Sequence, residues 1–147
     1  MAYSVRVLLE QDSEFSQFLK RMIREFNNAH SVHHRQIREA GAVHYINIIV
    51  ADEAGQWIGG ISAEVYWEWM EINDFWLRDD ARGHGLGKSL LVQAEKAAVE
   101  MGAARALLTT FSFQARGFYE RCGYRVVGEI QDYPPGSTYY TMVKMLA

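Results

Sequence analysis

The 147-residue sequence contains one cysteine, Cys122, and two prolines, the adjacent pair Pro134 and Pro135. A lone cysteine closes no internal disulfide and offers no redox or zinc pair, which points to a reducing, cytoplasmic compartment. With its prolines confined to one turn, and with no Gly/Ser-rich or single-charge tract, the chain reads as one domain over residues 1–147, without repeats. No apolar run reaches membrane length, and the short apolar stretch from Met1 to Leu9, with one arginine, is too small for a signal peptide. A basic surplus is missing as well: 15 Lys and Arg stand against 18 Asp and Glu. That balance excludes nucleic acid and anionic membranes as general partners. His30, His33, His34 and His44 have no cysteine or carboxylate at ligand spacing beside them, so no metal site is expected.

Hydrophobic residues make up 49% of the chain and charged residues 22%, enough for a real core. Alternation predicts a first strand over Ser4–Leu9. The helical spacing of Phe15, Phe18, Leu19, Met22, Ile23 and Phe26 then predicts a helix over Ser13–Ala29 with Ser13 as its N-cap. A second short helix or loop covers Ser31–Gly41. Tyr45–Ala51 and Gln56–Tyr66, joined by the turn-forming Asp52–Gly55, read as a hairpin, and Glu71–Leu77 as a further strand. From Leu86 the period becomes helical through Met101, with Gly102 placed to stop it. A strand over Ala104–Thr109, a helix over Gln114–Cys122 ended by Gly123, and two closing strands over Tyr124–Ile130 and Thr138–Leu146 complete a mixed α/β order rich in antiparallel hairpins.

The chemistry is concentrated where a strand meets a helix, at Phe75-Trp76-Leu77-Arg78-Asp79-Asp80-Ala81-Arg82-Gly83-His84-Gly85-Leu86-Gly87-Lys88. A helix N-terminus presents unpaired N–H groups and a partial positive charge, so it stabilises a phosphate with few basic side chains. Glycines at 83, 85 and 87 let the backbone approach that anion, and Arg82 and Lys88 add charge at the rim. The spacing matches neither a P-loop, whose first glycine would fall on Arg82, nor the Gly-x-Gly-x-x-Gly dinucleotide fingerprint.

Arg82-Gly83-His84-Gly85-Leu86-Gly87 resembles the Arg/Gln-x-x-Gly-x-Gly/Ala pyrophosphate motif of the GNAT superfamily of N-acetyltransferases. At the expected distance, Gln114-Ala115-Arg116-Gly117-Phe118-Tyr119-Glu120-Arg121-Cys122-Gly123-Tyr124 resembles that family's Ala-x-x-Phe-Tyr-x-x-x-Gly-Phe/Tyr segment. Thr110 to Ala115 is similar to small bacterial-type members. The resemblance covers about the last two thirds of the chain. It implies a mostly antiparallel sheet of six to seven strands with helices on both faces and a splay between two parallel strands. It also implies acetyl-coenzyme A as cosubstrate, with the pantetheine against Phe75, Trp76 and Leu77 and the pyrophosphate on Arg82, Gly83, His84, Gly85, Leu86, Gly87 and Lys88.

By the same resemblance Tyr119 is the acid that protonates the departing thiolate. A phenol with a reference pKa of ~10 stays protonated at neutral pH beside a thiol of ~8.5. The sequence departs from the family at Leu107, where some members carry a glutamate base, and at Ser112, where many carry a cofactor-contacting asparagine. Serine still donates, over a shorter reach. Strand alternation sets Glu71 and Asp74 on opposite faces, and of the two Glu71 is taken as the base. Tyr66-Trp67-Glu68-Trp69-Met70-Glu71 supplies aromatic faces and carboxylates suited to a cationic amine, small molecule or peptide. The turn Asp132–Gly136 and Tyr139-Tyr140 are expected to close over the site, and a second copy of the chain, as a homodimer, is admitted as a partner. The rival reading is a module that binds acetyl-coenzyme A without catalysis, favoured by Leu107 and opposed by Tyr119.

Overall fold

A computed structural model describes residues 1–146, which fall into two compact units, residues 1–40 and residues 41 onward. In the first unit α1 (Ser13–His30) and α2 (Val32–Gln36) follow one another. The cap of α1 is Asp12, not Ser13: the Asp12 carboxylate accepts from the Phe15 N–H at 3.0 Å. Both residues are good caps in principle, and the extended backbone of Asp12 places its side chain for the task. Ser31 ends α1 and caps α2, its hydroxyl accepting from the His34 N–H at 3.2 Å. The expected strand over Ser4–Leu9 does not form. Its short alternating run finds no ladder partner, and Val5, Val7 and Leu9 remain exposed.

The second unit is built on six strands: β1 (His44–Ala51), β2 (Trp57–Tyr66), β3 (Trp69–Leu77), β4 (Arg105–Phe111), β5 (Arg125–Gln131) and β6 (Thr138–Met145). Their order is β1-β2-β3-β4-β6-β5, and every pairing is antiparallel except β3 with β4. That parallel step needs a crossover, which α3 (Leu86–Glu100) supplies. The short α4 (Arg116–Arg121) links β4 to β5. A mixed, mainly antiparallel sheet with one parallel pair is thus the architecture that the resemblance implied. Among the described residues, no helix is long and apolar enough to cross a membrane.

The apolar spacing of α3 buries Leu90, Leu91, Ala94 and Ala98. They join a core made by alternate strand residues: Ile46 of β1, Ile61, Ala63 and Val65 of β2, Met70 and Ile72 of β3, Ala106 and Leu108 of β4, and Met142 of β6. Met70, Leu91 and Met142 are almost completely buried. The β2 glycines permit close strand approach. A Cβ on Gly60, whose φ is +150°, would lie 2.1 Å from the Ile48 carbonyl oxygen, a contact no side chain tolerates. This core fixes the axis of α3 against the sheet, and with it the helix N-terminus beside the C-terminal end of β3.

Candidate functional site

The parallel pair is short. β3 and β4 register only at Trp69 with Arg105, Met70 with Ala106 and Glu71 with Leu107. Beyond that rung β3 stays paired to β2 through Leu77, while β4 stays paired to β6 through Phe111. The two strands therefore part with their facing edges unpaired, leaving backbone N–H and C=O groups able to take an extended ligand as an added strand. A cleft of about 910 Å³ opens there. Its walls are Ile72–Leu77 of β3, Leu108–Thr110 of β4, Phe113 to Ala115, the glycine turn, and Phe118, Tyr119, Arg121 and Cys122 from α4 and its end.

The glycine turn forms one end of this cleft. Gly85 is the N-cap of α3 in left-handed backbone, φ +77°, and no side chain caps the helix. A Cβ on Gly85 would meet no protein atom within 4 Å, so the space in front of it belongs to the cleft. Uncapped N–H groups at the start of a 15-residue helix, facing open space, suit a phosphate. Arg82 closes the turn by donating from Nε to the Leu77 carbonyl at 2.7 Å, and its guanidinium lies 3.4 Å from Asp79. Arg78 holds Asp80 with two hydrogen bonds of 2.6 and 2.8 Å. Lys88, in the first turn of α3, also lines the cleft.

Most sequence-predicted residues meet in this place: Phe75, Trp76, Leu77, Arg82, Gly83, Gly85, Gly87, Lys88 and Tyr119 all line the cleft. His84, Leu86, Ser112 and Glu71 do not. Leu86 packs against the core. The Ser112 oxygen accepts from the Thr138 N–H at 3.0 Å. Glu71 accepts a short hydrogen bond from the Tyr66 hydroxyl at the last paired rung, below the point where the strands part. Neither the Tyr66–Glu71 run nor the turn from Asp132 to Gly136 contributes a wall, and Tyr139 and Tyr140 are likewise outside.

Asp74 is the carboxylate that does line the cleft, and a β-bulge puts it there. In the β2–β3 ladder Ala63 pairs with Ile72 but Ser62 pairs with Asp74, so Asn73 is an extra residue. Alternation across an unbroken strand would set Glu71 and Asp74 on opposite faces. With the bulge, Glu71 lies opposite Glu64 and Asp74 opposite Ser62, so both acids share the face turned away from α3. Asn73 lines the cleft too and donates to Glu64 at 3.3 Å. Nothing in the residue types marks the bulge. Thr109, Thr110 and Gln114 were also unforeseen as wall residues; the Gln114 side-chain oxygen accepts from the Phe111 N–H at 2.8 Å and so shapes the loop after β4.

Tyr119 is 8% exposed, with its ring edge-on to Phe75, Phe118 and Tyr124 at centroid distances of 6.3, 5.3 and 5.9 Å. Burial, with a smaller contribution from Cys122, pushes its pKa up to about 12. It is a neutral O–H donor throughout the physiological range. Burial also raises the Cys122 thiol, assisted by the Glu95 charge, which keeps it protonated and poorly nucleophilic. At Tyr66 the hydrogen bond to Glu71 and burial raise the phenol to about 12 as well. These shifts make an alkaline prediction. An unfolded tyrosine loses its proton near pH ~10 while Tyr66 and Tyr119 keep theirs to about 12 in the fold. The unfolded state then binds fewer protons, and stability must fall as pH rises through that interval. Denaturant midpoints measured across it should decline, with less decline in a Tyr66→Phe, Tyr119→Phe double variant; equal declines would contradict the shifts.

Residues 7–124 match the model of the acetyltransferase (GNAT) family. The chain is 39% identical over 111 residues to blasticidin-S acetyltransferase of Streptomyces morookaense, an alignment covering 75% of this chain and 82% of that protein. A solved acetyltransferase from Bacillus cereus superposes with a TM-score of 0.78 at 26% identity, over 95% of this chain and 97% of its own. An aminoglycoside 6'-N-acetyltransferase crystallised with coenzyme A shares the fold, with a TM-score of 0.61 at 17% identity and coverage of 88% and 92%. With a splayed parallel pair, a phosphate-ready glycine turn and a buried tyrosine in one cleft, the chain belongs to the GNAT family of acetyltransferases, and its acetyl donor is acetyl-coenzyme A.

Proposed function

We propose that the enzyme transfers the acetyl group of acetyl-coenzyme A directly to a primary amine of a small cationic molecule, using Tyr119 as proton donor and Asp74 as the carboxylate that receives the amine's proton. The observation that carries this is the presence of Asp74 and Tyr119 in the cleft whose other end is the glycine turn. Acetyl-coenzyme A supplies an activated thioester. In this reading the N–H groups at Gly83 to Lys88 hold its pyrophosphate, and the free edge of Phe75–Leu77 holds its pantetheine. As the C–N bond forms and the C–S bond breaks, the Tyr119 hydroxyl delivers a proton to the sulfur, and the proton that the nitrogen sheds on becoming an amide restores that hydroxyl through water. The amine must first be neutral to attack, and Asp74 takes the ammonium proton directly or through water.

A cationic acceptor suits a cleft whose wall carries the Asp74 carboxylate, which pairs with a charged amine. The related blasticidin-S acetyltransferase makes blasticidin S a rational first acceptor to try. A screen of blasticidin S, aminoglycosides, simple diamines and short peptides against acetyl-coenzyme A, reading released thiol, tests the assignment. The expected result is the highest kcat/KM for a small cationic amine. Preference for peptide N-termini would replace the acceptor class, and cofactor binding without turnover of any amine would favour the non-catalytic module consistent with Leu107.

A further inference from the structure

In the core, two side chains distant in sequence, Tyr124 and Lys144, converge on one buried carboxylate of α3. Glu95, in the middle of α3 and 9% exposed, accepts from the Tyr124 hydroxyl at 2.8 Å and from the Lys144 ammonium at 2.9 and 3.2 Å. Tyr124 follows the end of α4 and is 3% exposed; Lys144 comes from β6 and lies 5.6 Å from the Tyr124 ring centroid. Burying a carboxylate and an ammonium together is a weak source of stability, because desolvation offsets their attraction. Geometry is what such a cluster supplies, since each hydrogen bond fixes an element against the others.

The fixed element is the one that bears the proton donor. The Tyr124 N–H donates to the Tyr119 carbonyl at 2.9 Å, and the two rings meet edge-on at 5.9 Å. Between α4 and Tyr124 the chain turns at Gly123, φ +97°, where a Cβ would press on the Lys144 stem at 3.2 Å. A continuous path therefore runs from α3, whose N-terminus is the phosphate end of the cleft, through Glu95 and Tyr124 to Tyr119. We infer that Tyr124, held by Glu95 and Lys144, is a positioning residue that sets the Tyr119 hydroxyl at a fixed reach from the ligand bound at the start of α3. This rests on the reading of Tyr119 as proton donor.

Tyr124→Phe removes the hydroxyl that anchors the ring to Glu95 and leaves the ring itself. Misplacement of a catalytic group by ~1 Å costs up to ~10²-fold, so kcat should fall at least ~10-fold while KM for acetyl-coenzyme A stays near the wild-type value. In the Tyr119→Phe background the same change should add nothing, because no hydroxyl is left to position. Glu95→Gln keeps an acceptor for Tyr124 and should retain more activity than Glu95→Ala, which keeps none. Additive losses in the double variant would overturn the positioning role, as would wild-type kcat in both Tyr124→Phe and Glu95→Ala when Tyr119→Phe is impaired. Wild-type kcat in Tyr119→Phe itself would instead sink the underlying assignment of the proton donor.

Discussion

Tyr119→Phe should lower kcat by about 10²–10⁴-fold, the usual contribution of a positioned general acid, with little change in acetyl-coenzyme A affinity. The hydroxyl is the only atom lost. The ring contacts with Phe75, Phe118 and Tyr124 survive, so the fold and the cleft should persist. Coenzyme A thiolate is a poor leaving group when it departs unprotonated into a cleft walled by Phe75, Phe118 and Leu108. A phenol held neutral up to about 12 has a proton to give at every pH where the enzyme works. Because the proton moves only as the C–S bond breaks, the loss should appear in kcat and kcat/KM together. Single-turnover kinetics with saturating donor would measure it, and a wild-type rate for the chemical step would return Tyr119 to a packing role.

The second large effect is expected at Asp74. Asp74→Asn keeps the side chain's size and its place opposite Ser62 but abolishes its ability to take a proton. At neutral pH, where an alkylamine of pKa ~10 is almost wholly protonated, kcat/KM should drop about 10²-fold. Raising the pH to ~9.5 should restore much of the rate, because free amine then accumulates without help. Glu71→Gln is the comparison. That carboxylate is tied to Tyr66 at the closed end of the splay, so its variant should stay within a few-fold of wild type on the scale of a lost general base. A large loss in Glu71→Gln with an indifferent Asp74→Asn would reverse the assignment and restore Glu71, the base chosen from the sequence.

That contrast shows where the sequence was legible. The glycine turn could be read because its chemistry is local: glycines at 83, 85 and 87 follow a strand and open a helix, and the fold uses them so. Phe118-Tyr119 ahead of Gly123 was visible through its resemblance to the family's Phe-Tyr-x-x-x-Gly segment, and the fold sets both residues within α4 on the cleft wall. The face of Asp74 was hidden by a single inserted residue, Asn73, whose effect depends on the register of β2 rather than on any residue type. Ser112 stands against the ligand by resemblance, whereas in the fold its oxygen accepts from the Thr138 N–H, a partner 26 residues away, and it lies off the cleft wall. The Glu95–Tyr124–Lys144 cluster joins residues up to 49 positions apart. Such meetings belong to the tertiary structure. Ser4–Leu9 failed for the same reason, as alternation describes a strand but does not provide its neighbour.

Hydrogen exchange of the backbone amides with and without acetyl-coenzyme A tests the central claim most directly, because it reports the site of binding without any substitution. The account predicts slowed exchange at Gly83 to Lys88, whose N–H groups would be taken up by phosphate, and along Asn73 to Leu77, whose edge would gain a ladder partner. Exchange in β1 and β5, at the two margins of the sheet, should be unchanged. Unaltered exchange at Gly83 to Lys88 under saturating acetyl-coenzyme A, or protection confined to another part of the chain, would contradict it.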